Sequence, residues 1–168
     1  ELQDELRRLT QMVDQSLLIA RSEKGSLTWN NESVDASALV TDLVEDFELL
    51  AAESNRSVNL QIGTNCMVSA DQALLTQILH GLFSNALKHG KGSIAVRLCP
   101  KNRGRHIHFL VTNGLPKNDE SSEHQGLGLG LRVVQALVNL QSGIEFQKHH
   151  GRHHYAARLT IPVAQSSI

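Results

Sequence analysis

Aromatic side chains are scarce in this chain: four Phe, one Tyr and one Trp, 4% of 168 residues. With 40% hydrophobic residues overall, the core has to be built from aliphatic side chains. Cysteine is scarcer still. Cys66 and Cys99 set no disulfide framework and no metal-ligand spacing, and they favour a reducing compartment. Neither sign of charge prevails, with 16 basic and 17 acidic side chains and a net charge of -1, which argues against broad electrostatic binding of nucleic acid. No apolar run is long enough to span a membrane. The polar, amphipathic stretch Glu1 to Thr10 is unlike a signal peptide. The length suits one domain, alone or with a short appendage, and folding at this size buries roughly 70% of the unfolded chain's surface without staples.

What is present is a clear alternation of periods. Leu2, Leu6, Leu9, Val13, Leu17 and Ala20 recur at helical spacing with charges between them, and Lys24-Gly25 supplies a stop. So narrow a stripe asks for a partner helix, from another chain, from upstream, or both; packing on the globular part is the simpler alternative. Residues 26–34 read as a polar connector with one extended patch, Ser26 to Trp29. Asp35 caps a second helix whose face, Leu39, Val40, Leu43, Val44, Phe47, Leu50 and Ala51, is broad enough to cover a sheet. Ser57 to Ile62 alternates as a half-buried strand with Val58, Leu60 and Ile62 inward. Asp71 caps a third helix rich in leucine. Ile94, Val96 and Leu98, then Ile107, Phe109 and Val111, make a hairpin about the turn 101–104. A polar loop, a fourth helix ending near Ser142-Gly143, and a second hairpin about Gly151 complete the chain. The order predicts an α+β fold: a two-layer α/β sandwich with helices on one face of a mixed sheet, preceded by a bundle helix.

Two segments carry chemistry. Gly126-Leu127-Gly128-Leu129-Gly130-Leu131 opens the fourth helix, and free N–H groups at such a start attract anions. No Gly-Lys-Ser/Thr follows, which excludes Walker A, and the segment opens no βαβ unit, which excludes the Rossmann reading. Near the end of the third helix, Asn85 sits among Leu82, Phe83 and Ala86, a polar group against a buried surface that needs a partner. Its amide oxygen suits Mg²⁺, and Lys88, at i+3, shares its face.

These segments, in this order, resemble the catalytic region of sensor histidine kinases, in the GHKL ATPase superfamily with its Bergerat nucleotide-binding fold. Residues 5–25 resemble the second helix of the dimerisation hairpin, 71–89 the N box, 126–131 the second glycine box and Leu159-Thr160-Ile161-Pro162 the closing strand. The resemblance implies a hairpin helix over 1–25, a linker over 26–34 and an ATP-binding catalytic domain over 35–168. It implies ATP and Mg²⁺ as ligands, with Asn85 on the metal and Lys88 and His89 in the nucleotide site. Gly126, Leu127, Gly128, Leu129, Gly130 and Leu131 would cradle the phosphates. Asn113 and Gly114 fall where the adenine-reading box belongs, with asparagine in place of the usual aspartate; an amide can both accept and donate.

Other positions depart from the family. Gly81, one turn before Asn85, stands where many kinases have a second asparagine and true ATPases a water-activating glutamate, so water-attacking chemistry is not expected. His89 replaces a common tyrosine, and the phenylalanine-bearing segment between the glycine boxes is missing. The phosphate-accepting histidine belongs on the first hairpin helix, and none of the nine histidines has that setting. His149, His150, His153 and His154 flank a hairpin tip that splits them between faces, and His106 and His108 mark the wet face of a strand.

The implied function is transfer of the γ-phosphoryl of Mg-ATP to a hairpin histidine for relay to a response regulator receiver domain. The implied setting is a cytoplasmic homodimer joined through the hairpin, any membrane anchor lying upstream; the fragment itself would contact neither membrane nor nucleic acid. The alternatives are a degenerate module that signals by docking or phosphatase support, and a GHKL ATPase or protein-serine kinase. The loop 117–124, with Asp119, Glu120 and Glu123 and nothing apolar to bury, is expected to leave the site open and ATP weakly bound.

Overall fold

The computed structural model describes residues 2–116, 128–141 and 143–165. Helix α1 (Leu2–Glu23) ends where Gly25 turns left-handed at φ +66, letting the Ser26 N–H donate to the Arg21 carbonyl at 3.1 Å. Strand β1 (Glu32–Asp35) leads into α2 (Ala36–Glu53), capped by the Asp35 carboxylate accepting from the Ala38 N–H at 3.0 Å. Then come β2 (Val58–Ile62), β3 (Met67–Ala70) and α3 (Gln72–His89), which Asp71 caps by accepting from the Leu74 N–H at 3.0 Å. The hairpin β4 (Lys91–Lys101) and β5 (His106–Gly114) turns through a 3-10 turn in which Arg103 and Gly104 take positive φ. Helix α4 (Leu129–Asn139) and the hairpin β6 (Glu145–His150) and β7 (His154–Pro162) follow.

The main sheet has the order β2-β4-β5-β7-β6, with β2 and β4 parallel and the other pairs antiparallel. It is the mixed sheet the sequence predicts. One face alternates into the core through Ile94, Val96 and Leu98, then Ile107, Phe109 and Val111, then Ala157, Leu159 and Ile161. Against it lie Val40, Val44 and Phe47 of α2, Leu75, Ile78, Leu79, Leu82 and Phe83 of α3, and Val134 and Leu137 of α4. Phe83 joins the layers, stacked on Phe47 at 4.8 Å and edge-on to Phe109 at 5.7 Å. With six aromatic residues to spend, the chain places three at this one junction.

The fold departs from the sequence reading in detail. Strands β1 and β3 pair antiparallel in a small second sheet, and β1 straddles the boundary expected at residue 35. Neither has a legible pattern: β1 buries only Val34. Leu60, expected inward, is 37% exposed because β2 is the edge strand, and Leu50 turns off the core face of α2 at 48%. Helix α4 stops at Asn139, a few residues earlier than Ser142-Gly143 suggests.

Helix α1 has two working faces. Ile19 and Ser22 are buried and Leu18 partly so, packed on α4; the Ser22 hydroxyl donates to the Ala136 carbonyl at 3.1 Å. Past the helix, the Trp29 indole N–H donates to the Leu137 carbonyl at 3.1 Å. The stripe Leu2, Leu6, Leu9, Val13 and Leu17 is more than half exposed at every position. At ~100° per residue the two sets lie roughly on opposite sides of the helix. The globular part takes the last turns, and the stripe stays exposed among the described residues.

Candidate nucleotide site

Helices α3 and α4 approach to backbone contact at one point. A Cβ built on Gly81 would lie 2.7 Å from Val134 Cγ2 and 2.8 Å from the Gly130 carbonyl oxygen. Real Cβ atoms do not come that close, so position 81 needs glycine, whereas a Cβ on Gly130 would meet the Gly81 carbonyl oxygen at an ordinary 3.4 Å. Gly81 reads in sequence as a missing catalytic side chain; in the fold it is the packing residue that admits α4. The contact holds the glycine-rich start of α4 beside the last two turns of α3, where Asn85 is half-buried and Lys88 and His89 are exposed. The His89 Nε2 lies 3.7 Å from the point a Cβ on Gly128 would occupy, so the two predicted boxes meet.

The start of α4 is chemically open. Its N-cap is Gly128, with no side chain to accept from the first N–H groups; the first helical bond runs from the Arg132 N–H to the Gly128 carbonyl at 3.1 Å. The amides of Leu129, Gly130 and Leu131 and the positive end of the helix dipole therefore face the side where Asn85 and His89 stand. Gly126 and Leu127, and the loop 117–124, lie outside the described residues.

Asn113 ends β5 on the core side and is 5% exposed. Its Nδ2 donates to the Gly114 carbonyl at 2.9 Å and presses on Gly90, where a Cβ would collide with it. Its Oδ1 is buried without a partner. A buried, unpaired acceptor carries a desolvation cost, and a ligand N–H would relieve it. In this orientation the amide has its donor engaged and its acceptor free. Gly114 runs close to β4, a Cβ there falling 2.9 Å from the Lys91 carbonyl oxygen.

Arg56 is a residue the sequence reading passes over. Its Nη1 donates to the Ala86 and Leu87 carbonyls at 3.0 and 2.9 Å, and its Nε to the Gly92 carbonyl at 2.8 Å. The guanidinium closes the C-terminal end of α3 and ties it to the turn that passes Asn113. Burial lowers its pKa from the ordinary arginine value. Tyr155, also passed over, is buried across from Asn113 with its hydroxyl unpartnered. A tyrosine in an alternating strand gives no sign of which end of the sheet it will reach.

The four histidines at the β6–β7 tip are exposed, with His149 and His154 rings 5.5 Å apart. No group of three metal-ligating side chains converges among the described residues. An open groove of about 670 Å³ lies at the other end of α3, lined by Asn30, Glu32, Asp71 and Thr76 among others. At 1.5 Å per residue, Asp71 is roughly 20 Å from Asn85, so this groove is separate from the site.

An α/β sandwich that sets an uncapped helix start beside the half-buried Asn85, with the unpartnered Asn113 acceptor near the end of β5, has the form of a nucleotide-binding class of protein. The family comparison agrees: residues 70–165 match the histidine kinase-, DNA gyrase B-, and HSP90-like ATPase family, and the chain belongs to it. Among curated relatives, it is 26% identical over 166 residues to the probable sensor protein PcoS of Escherichia coli, covering 89% of this chain and 35% of that one. It is 27% identical over 172 residues to the probable sensor histidine kinase HK of Mycobacterium tuberculosis (strain CDC 1551 / Oshkosh), covering 95% of this chain and 45% of that one. The chain thus spans between about a third and a half of these relatives. Among solved structures, the Acinetobacter baumannii histidine kinase AdeS superposes with a TM-score of 0.81 at 18% identity, over 98% of this chain and 83% of that one. The cytoplasmic segment of histidine kinase QseC superposes with a TM-score of 0.65 at 19% identity, over 95% of both chains. These likenesses establish the fold as that of the Bergerat-type histidine kinase domains.

Proposed function

We propose that this chain is the ATP-binding catalytic part of a two-component sensor histidine kinase, with the second helix of its dimerisation hairpin attached. The observation that carries the reading is the backbone contact of Gly81 with Gly130, which sets the uncapped start of α4 beside Asn85 and His89. In this reading Asn85 holds Mg²⁺, which supplies charge neutralisation along the triphosphate. Lys88 and the amides of Leu129, Gly130 and Leu131 bind phosphate oxygens, His89 flanks them, and Asn113 beside Gly114 accepts from the adenine amino group. Gly126 and Leu127 belong to the same cradle by family pattern. The domain acts by positioning and charge, so it needs no nucleophile of its own. The γ-phosphoryl goes to a histidine on the first hairpin helix and then to the receiver domain of a response regulator. The exposed stripe of α1 is the seam on which that hairpin and a second copy assemble, in a cytoplasmic setting.

Calorimetry with Mg-ATP and Mg-ADP tests the reading. Both should bind, and Asn85→Ala should abolish the metal-dependent part while the fold persists. No heat and no thermal shift with any adenine nucleotide would overturn it. Radiolabelled ATP should leave no acid-labile phosphate on the chain alone but should label a supplied hairpin in trans. A second reading, a degenerate module acting by docking, draws on the same contact, since no side chain can be placed at position 81 to act on water.

A further inference from the structure

Four histidines crowd the β6–β7 tip, and strand alternation sorts them by face. His149 pairs with Ala156, and His154 lies two residues before Ala156, so both stand on the outer face of the sheet. His150 pairs with Tyr155 and belongs to the other face. The split expected of the tip therefore leaves one matched pair outside: the His149 and His154 rings are exposed, with centroids 5.5 Å apart. The His154 ring lies over Gly151, where a Cβ would come within 2.8 Å of its Cε1, so glycine at the turn is what lets the ring lie there. The Gly151 N–H donates to the His154 carbonyl at 2.9 Å, which fixes the turn that carries the ring. Arg158, in the next pair along the same face, is held by its cross-strand partner Gln147.

We propose that His149 and His154 form a two-histidine site for a late first-row divalent ion, with Zn²⁺ as the type ligand and water in the remaining positions. Imidazole nitrogen suits zinc, copper and nickel, whereas magnesium and calcium take oxygen. With Zn–N bonds of about 2.0–2.1 Å, an ion lies about 3.2 Å from each ring centroid, and a tetrahedral angle sets the two centroids about 5.2 Å apart. The separation in the fold is close to that span. One ligand comes from each strand, so the ion cross-links β6 to β7 at their tip. No third metal-ligating side chain joins them among the described residues, which makes this an exchangeable site rather than a closed structural one. The site is independent of the nucleotide reading, since it lies on the outer face of the sheet and Asn113 on the core face.

The test titrates the full chain with zinc chloride alone at pH 8, without nucleotide, and compares it with His149→Ala, His154→Ala and Cys99→Ser. Both histidines are exposed, so without metal their variants should melt as the wild type does. The wild type should bind one ion per chain and gain thermal stability, and either histidine variant should bind about tenfold more weakly. Cys99→Ser, which removes the part-exposed thiol, should match the wild type. In nuclear magnetic resonance spectra the ring signals of His149 and His154 should move together over the same zinc range. Equal affinity in the wild type and both histidine variants, loss of binding in Cys99→Ser, or one ion for every two chains would overturn the assignment.

Discussion

Helices α1 and α3 are of similar length, 22 and 18 residues, and both carry leucine at helical spacing, yet they end in opposite environments. In α3 the apolar residues occupy a broad face, and Leu74, Leu75, Ile78, Leu79, Leu82, Phe83 and Ala86 are all buried between α2, α4 and the sheet. In α1 they form a narrow seam that stays exposed among the described residues, while a different face, Ile19 and Ser22, does the docking. Breadth rather than hydrophobic content separates the buried helix from the exposed seam. A second lesson is that α3 is fixed by what it lacks at position 81, whereas α1 is fixed by two backbone carbonyls of α4 that accept from Ser22 and Trp29.

The sharpest way to break the comparison is at Gly81. Gly81→Asn, which would reinstate a residue many kinases have there, should cost about 3 kcal/mol, because its Cβ meets the Gly130 backbone carbonyl as well as the Val134 side chain, and the backbone cannot simply turn aside. Urea unfolding measures it, and a variant as stable as the wild type would mean that α3 and α4 separate easily. On α1 the two faces should answer differently. Ile19→Ala should loosen the docked end by about 2 kcal/mol, whereas Val13→Ala should stay within about 0.5 kcal/mol for this chain alone. Trp29, the single tryptophan, reports undocking by fluorescence through its bond to α4. Equal effects at the two positions would remove the distinction between the faces. Arg56→Met should come next, at about 1–2 kcal/mol, by taking the guanidinium donor from the Leu87 carbonyl and leaving the Ala86 carbonyl only the Gly90 N–H. Hydrogen exchange should quicken in the last turn of α3; unchanged protection there would show that Arg56 does not hold it.

Much of this was legible beforehand because period and capping act locally. Asp35 and Asp71 cap as their positions imply, and the hairpins follow their alternation. The candidate site was legible as two motifs, Asn85 to His89 and the glycine-rich helix start, which the fold brings together, because their spacing is linear. What escaped is what only the third dimension supplies. Strands β1 and β3 are four residues each and exist by pairing with each other. Arg56 reaches the end of α3 across 30 residues of sequence. The donor of Asn113 is spent on its own neighbour, which a sequence that allows both roles cannot reveal.

The smallest effect concerns pH, and it returns to α3. His80 lies on that helix against the Phe47 ring, centroids 5.4 Å apart. Burial lowers its pKa below the ordinary 6.5, and nearby Asp46 opposes the shift without cancelling it. His108, on the outer face of β5, is lowered likewise, by burial and then by Arg158, Lys101 and His106. A histidine whose folded pKa is depressed binds its proton more readily in the unfolded chain. Its contribution to stability is therefore complete above the ordinary pKa and is lost as pH falls below 6.5, until the folded group protonates as well. The urea midpoint should drop from pH 7.5 to pH 5.5, and His80→Gln should drop less. No histidine on α1 titrates in this range, since the helix has none, so the docked end reported by Trp29 should hold while α3 weakens. A steeper drop in His80→Gln than in the wild type would reverse the sign and place the Asp46 charge, not burial, in control of that face of α3.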